Sequence, residues 1–83
     1  MRIKIFTTTT CPFCKQEKEW LNSKGIKYES VFVDQDPTQA EEMVKESGQM
    51  GVPFTVIWKD DGTKEETLGF DKAKIANALG IAA

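Results

Sequence analysis

The chain has no histidine and only two cysteines in 83 residues. The first absence removes the imidazole on which Ser-His-Asp hydrolysis and histidine-ligated metal sites depend. The second removes a multiply cross-linked secreted scaffold, because two thiols can close at most one bridge. No apolar run reaches membrane-spanning length, and Met1-Arg2 leads straight into a strand-like segment where a signal peptide would need an apolar stretch. A single domain over residues 1–83, placed in the cytoplasm, is therefore expected, with room for one core and little to spare. Positive charge is not in excess: 11 Lys and Arg stand against 13 Asp and Glu, for a net charge of −2. Phosphate recognition needs a basic patch, so neither nucleic acid nor a membrane surface is an expected partner.

What the chain does have is concentrated between Thr7 and Lys15, read TTTTCPFCK, where both cysteines stand as Cys11-Pro12-Phe13-Cys14. Arg2–Thr7 alternates apolar and polar residues and reads as a strand. Pro12 suits the first position of a helix, because its missing N–H is one the helix could not use. Cys11 is then the N-cap, placed to accept hydrogen bonds from the N–H groups of Phe13 and Cys14 at the positive end of the helix dipole. A thiolate is what such a position favours. Lys15 and Lys18 add positive charge nearby, weakly because exposed lysines are screened.

Two chemistries fit a C-x-x-C in such a context. In a reducing compartment, beside a βαβ pattern, it reads as a redox dithiol. It can also be half of a zinc site, but tetrahedral zinc takes about four ligands. With no histidine and no further cysteine, carboxylates, glutathione or a second protomer would have to complete the set, and no metal site is expected within the chain alone.

The first helix runs on through Lys15–Lys24 and stops at Gly25, with Ile26 as its capping contact. Phe13, Cys14, Trp20 and Leu21 form its apolar face, which Gln16, Glu17 and Lys18 interrupt in the middle turn. Glu17 falls three residues after Cys14, on the same side. Buried carboxylates are rare, so the ordinary expectation is a solvated glutamate paired with a lysine. The sharper alternative is a carboxyl held beneath Cys14, with a raised pKa, that accepts its proton.

Lys27–Val33 reads as a second strand covered on both faces. Asp36-Pro37-Thr38-Gln39 starts a second helix, with Asp36 as N-cap and Gln39 reaching back to it; Ala40, Met43, Val44 and Ser47 face the core and Gly48 ends it. Gly51-Val52-Pro53 precedes a third strand, Phe54–Trp58. The Asp60-Asp61-Gly62 turn joins it to a fourth, Thr63–Leu68. Asp71 then caps a last helix with Ile75, Ala78 and Leu79 inward, closed by Gly80. The order βαβαββα predicts an α/β fold with a four-stranded mixed sheet flanked by three helices. The dithiol lies at the carboxyl end of the first strand, where α/β sheets bind ligands.

With CPFC after the first strand, Val52-Pro53 before the third and Gly69-Phe70-Asp71 before the last helix, the chain resembles the glutaredoxin family of the thioredoxin-like fold. In its compactness it also resembles the glutaredoxin-like redoxins that donate electrons to ribonucleotide reductase. The resemblance implies that Cys11 attacks and Cys14, buried, resolves; by their positions on the helix Pro12, Phe13, Lys15 and Glu17 are the candidates to support them. It implies a cis Pro53 against the disulfide and a Val52 main chain that pairs with substrate backbone. Gly69 and Asp71 would hold glutathione, the aspartate taking its amine. The implied activity is reduction of protein or glutathione mixed disulfides by a monomer with no bound cofactor. Its electrons would come from glutathione or a thioredoxin-reductase-type flavoprotein, and its substrates would be disulfide-containing proteins, ribonucleotide reductase among them. A dimer carrying an iron–sulfur cluster or zinc is the alternative. Two departures bear on glutathione: Thr8 stands where many glutathione-using members have lysine, and Leu68-Gly69 where they have a glycine pair.

Overall fold

Strand β1 (Arg2–Thr7) is the spine, and its alternation sorts the whole core. Ile3 and Ile5 point to one side of the sheet, where they pack with Leu21, Ile57 and Ile75. Phe6 points to the other, against Met43, Phe54 and Val56, its ring stacked on Phe54 at 5.8 Å between centroids. In this computed structural model, which describes residues 1–48 and 51–81, the order is β1, α1 (Pro12–Ser23), β2 (Glu29–Phe32), α2 (Pro37–Ser47), β3 (Phe54–Trp58), β4 (Lys64–Leu68) and α3 (Lys72–Leu79). The sheet runs β2-β1-β3-β4, with β1 parallel to β2 and antiparallel to β3, and β4 antiparallel to β3. The expected mixed sheet of four strands and three helices is what forms.

Local chemistry explains the boundaries. At the end of α1, the Gly25 and Ile26 N–H groups return to the Asn22 and Leu21 carbonyls at 3.1 and 3.0 Å, and Gly25 supplies the left-handed φ of +69° that this turn requires. At the start of α2, Asp36 Oδ1 accepts from the Thr38 and Gln39 N–H groups. In the β3–β4 turn, Asp61 Oδ1 accepts from Thr63 N–H and Oγ1. Asp71 caps α3 by accepting from Lys74 N–H at 3.1 Å.

Three expectations need correction. β2 is not covered on both faces: it is an edge strand, with Glu29 and Ser30 exposed and Val31 only partly buried. An apolar run of three cannot reveal sheet order, which here places β1 and β3 centrally. Gln39 does not reach back to its cap, because its Oε1 accepts from Lys4 Nζ at 3.1 Å. Lys4 is drawn under α2 by the alternation of β1, and Glu42 adds a carboxylate at 3.5 Å. On α3, Ala76 is buried beside Ile75, while Ala78 and Leu79 pack at the margin of the core.

Met43 is fully buried and Phe13 is 60% exposed. Met43→Ala should therefore lower unfolding free energy by about 2–5 kcal/mol, whereas Phe13→Ala should change it by less than about 0.5 kcal/mol. Urea unfolding of both variants checks the contrast.

Candidate active site

The site is built by the start of α1. Cys11 is extended (φ −85°, ψ 112°) and Pro12 takes the first helical position, so the Cys11 side chain turns back over the helix end. Its Sγ accepts from the Cys14 N–H at 3.2 Å. Of the two donors expected, Cys14 is the one engaged; Phe13 N–H makes no such bond, since the cap points toward the third helical residue. The Lys15 N–H closes the first helical turn on the Cys11 carbonyl.

Three residues of helix separate two environments. Cys11 is partly exposed, while Cys14 is fully buried. Burial pushes the Cys14 thiol up, as does its hydrogen bond with Cys11; the Thr7 hydroxyl and the Thr8 backbone pull partly back. Phe13 belongs to the solvent side and not to the inward face expected for it, because the turn that buries Cys14 rotates its neighbour outward. Lys15 is exposed and lines, with Thr8, Thr9, Thr10, Lys18 and Phe32, a depression beside Cys11. Lys18 Nζ lies 4.8 Å from the Phe32 ring centroid.

The approach to Cys11 is fixed by a carboxylate that sequence reasoning missed. Asp34 Oδ2 accepts from the Thr9 N–H at 3.1 Å and from its hydroxyl at 2.7 Å, and these bonds hold the Asp34 carboxyl below its usual range. Nothing in its spacing marks Asp34, which follows β2 and meets the loop before α1 only because β1 and β2 are parallel neighbours.

The other sequence-predicted site segment is the turn before β3, which does not line the depression beside Cys11. The Val52–Pro53 peptide is cis, Pro53 is buried, and its carbonyl accepts from the Gly69 N–H at 2.7 Å. Gly69 adopts φ +77°, open to glycine at little cost. The Val52 side chain packs against the Phe6–Phe54 cluster. Asp71 lines a separate depression on α3, with Lys74, Asn77 and Ile81, so it does not share a pocket with Cys11.

Glu17 overturns the ordinary expectation. It is fully buried, with Oε2 accepting from Thr55 Oγ1 at 2.8 Å and Oε1 lacking any partner among the described residues. Burial pushes its carboxyl up to about 7, against a smaller opposing pull from Thr55. Cys14, Glu17 and Leu21 form one buried stripe, and the glutamate occupies the middle turn where the sequence has no apolar residue. That gap in the apolar pattern was the signal; the Thr55 donor across the sheet was not visible.

Among the described residues, no group of three or more Cys, Asp or Glu side chains is placed to hold a metal ion, and no helix is long and apolar enough to cross a membrane.

The β2-β1-β3-β4 sheet, with a dithiol opening the helix after its first strand, defines a small redox protein of the thioredoxin-like class. The glutaredoxin family model matches residues 3–61, and the chain belongs to the glutaredoxin family, whose members are thiol–disulfide oxidoreductases. It is 47% identical over 73 residues to a glutaredoxin-like 8.6 kDa protein in the rubredoxin operon of Clostridium pasteurianum, covering 88% of this chain and 91% of that one. Glutaredoxin 3 of Escherichia coli K12 is 39% identical over 55 residues, 66% of each chain. The structure of the glutaredoxin-like protein NrdH-redoxin from Escherichia coli superposes with a TM-score of 0.73 over 100% of both chains, at 29% identity.

A carboxyl whose pKa rises from 4.5 unfolded to about 7 folded binds more protons in the native state between those values. The contribution of this one group is then greatest below pH 4.5 and falls as pH rises toward 7, by about 3 kcal/mol in all. Glu17→Gln removes this dependence, so the variant should gain on the wild type progressively from pH 5 to pH 8 in urea unfolding.

Proposed function

We propose that the protein reduces disulfides of partner proteins through a two-cysteine cycle. The Cys11 thiolate attacks a substrate sulfur, a Cys11–substrate disulfide forms, and the other substrate sulfur leaves with the electron pair. Cys14 then attacks Cys11, the second substrate sulfur departs, and the two electrons of the dithiol have passed to the substrate. A donor reduces the resulting Cys11–Cys14 bond. The observation that supports this reading is the contrast within one helical turn: an accessible sulfur at the cap and a fully buried one three residues on. A buried thiol cannot meet a protein substrate, yet it lies beside the sulfur that does.

In this cycle Pro53 packs behind the reacting sulfurs and the Val52 main chain pairs with the substrate backbone, in the manner of an added strand. Gly69 supports that turn through its bond to the Pro53 carbonyl. Substrates are disulfide-bearing proteins, with ribonucleotide reductase the one suggested by the resemblance to small redoxins. The protein acts in the cytoplasm as a monomer with no bound cofactor.

As donor we favour a flavoprotein of the thioredoxin-reductase type over glutathione. Thr8 offers no cation to a glutathione carboxylate, Asp71 is engaged as the α3 cap, and the exposed apolar side chains Phe13 and Leu68 flank the dithiol segment and the Pro53 turn. The full-length likeness to NrdH-redoxin, described as having a thioredoxin-like activity profile, points the same way.

NADPH consumption with a protein disulfide substrate tests both parts. Turnover is expected with thioredoxin reductase and little with glutathione plus glutathione reductase; the reverse result makes glutathione the donor and Asp71 its ligand. Cys11→Ser should abolish turnover, and Cys14→Ser should stall as a mixed disulfide with the protein substrate. No turnover in either arm would transfer the reading to a cluster- or zinc-carrying dimer.

A further inference from the structure

We propose that Glu17 is the proton acceptor and donor for Cys14, an inference that rests on the two-cysteine cycle above. Cys14 can attack only as thiolate, yet it is sealed from solvent in a setting that favours the thiol. In the mixed disulfide Cys11 is blocked, and the Thr7 hydroxyl and Thr8 backbone that also act on the thiol are not bases, so its proton must pass to another group. Glu17 lies three residues along the same buried helix face, where side chains are neighbours at about 5–6 Å between Cβ atoms. One carboxyl oxygen is anchored by Thr55 and the other is a buried acceptor without a donor among the described residues. Burial raises this carboxyl to about 7, so that near neutral pH it can both take and return a proton.

Of the thiols among the described residues, Cys14 is the one on the buried face of α1 that carries Glu17. On this face of the sheet, β1 presents Ile5 and Thr7, β3 presents Thr55 and Ile57, and β4 presents Thr67. Glu65 shares the face from β4 but is paired with Lys59 and half-exposed. From α3 come Ile75 and Ala76, with Asp71, Lys72 and Lys74 at the surface. Trp20 and Leu21 complete the α1 side. Lys4, the other buried charged group among the described residues, lies across the sheet beneath α2.

In resolution, the Cys14 S–H bond breaks and its proton passes to the Glu17 carboxyl, by a turn of that side chain or through one bridging water because Oε1 and Cys14 are not hydrogen-bonded at rest, as the S–S bond to Cys11 forms. The Cys11–substrate bond breaks, and the substrate sulfur leaves with the electron pair and takes a proton from water. When the donor thiolate reduces the Cys11–Cys14 disulfide, the electron pair arrives at Cys14 and Glu17 returns the proton.

The test is a single-turnover one. A mixed disulfide of Cys11 with the chromophore 2-nitro-5-thiobenzoate releases colour when Cys14 attacks. In the wild type the release rate should rise through an inflection near pH 7. Glu17→Gln should lose that inflection and resolve about 100-fold more slowly at pH 8, the low end of what a positioned base contributes; Glu17→Asp should restore the inflection in part. A Glu17→Gln profile that keeps the wild-type inflection, whether slowed or not, overturns the proposal. Infrared titration of the buried carboxyl in the unmodified protein gives a second reading that needs no variant. Its midpoint should differ between the reduced and disulfide forms, and identical midpoints overturn the proposal. Colour release from the Cys14→Ser mixed disulfide at the wild-type rate would instead sink the two-cysteine cycle itself.

Discussion

The hydrogen bond from the Cys14 N–H to Cys11 Sγ is the contact on which the site turns. It exists because Pro12 starts α1 one residue after Cys11, and it makes the attacking sulfur the cap of the helix that carries the resolving one. Moving the helix start by one residue would rotate Cys14 by about 100° around the helix axis and carry it off the buried face it shares with Glu17 and Leu21. The Asp34–Thr9 bonds hold the loop that leads into that start.

Behind the dithiol the core is not uniformly apolar. Ile3 pairs with Ile57 at the far end of the sheet, whereas nearer the dithiol Ile5 pairs with Thr55, Thr55 with Thr67, and Thr7 closes β1. All three threonines are buried. Each hydroxyl can donate or accept, so this end can accommodate a thiol, a carboxyl and their changing protonation without an apolar wall against them. A buried glutamate is unfavourable in most cores; here its setting is polar on the sheet side.

Element order, helix caps and hairpin were legible in the sequence because each is set by residues within four or five positions of one another. Pro12 after Cys11, Asp36 before Pro37, and Gly25, Gly48 and Gly80 at helix ends carry their geometry with them. The cysteine pair was legible for the same reason. What escaped depended on partners far along the chain: Thr55 for Glu17, Lys4 for Gln39, Thr9 for Asp34, and the whole sheet order for the exposure of β2. Phe13 was misplaced for a different reason, since an apolar residue beside a buried one in a helix need not share its face.

The sheet is also a partition. Glu17 and Cys14 lie on the buried face of α1 beside Leu21 of the first core, while Phe6, Met43, Phe54 and Val56 form a second core. Contacts that do not share partners contribute nearly independently. Met43, the α2 member of the second core, can therefore be repacked for thermal robustness with less effect on the dithiol than a change at Phe54, which follows Pro53 directly and packs near Val52.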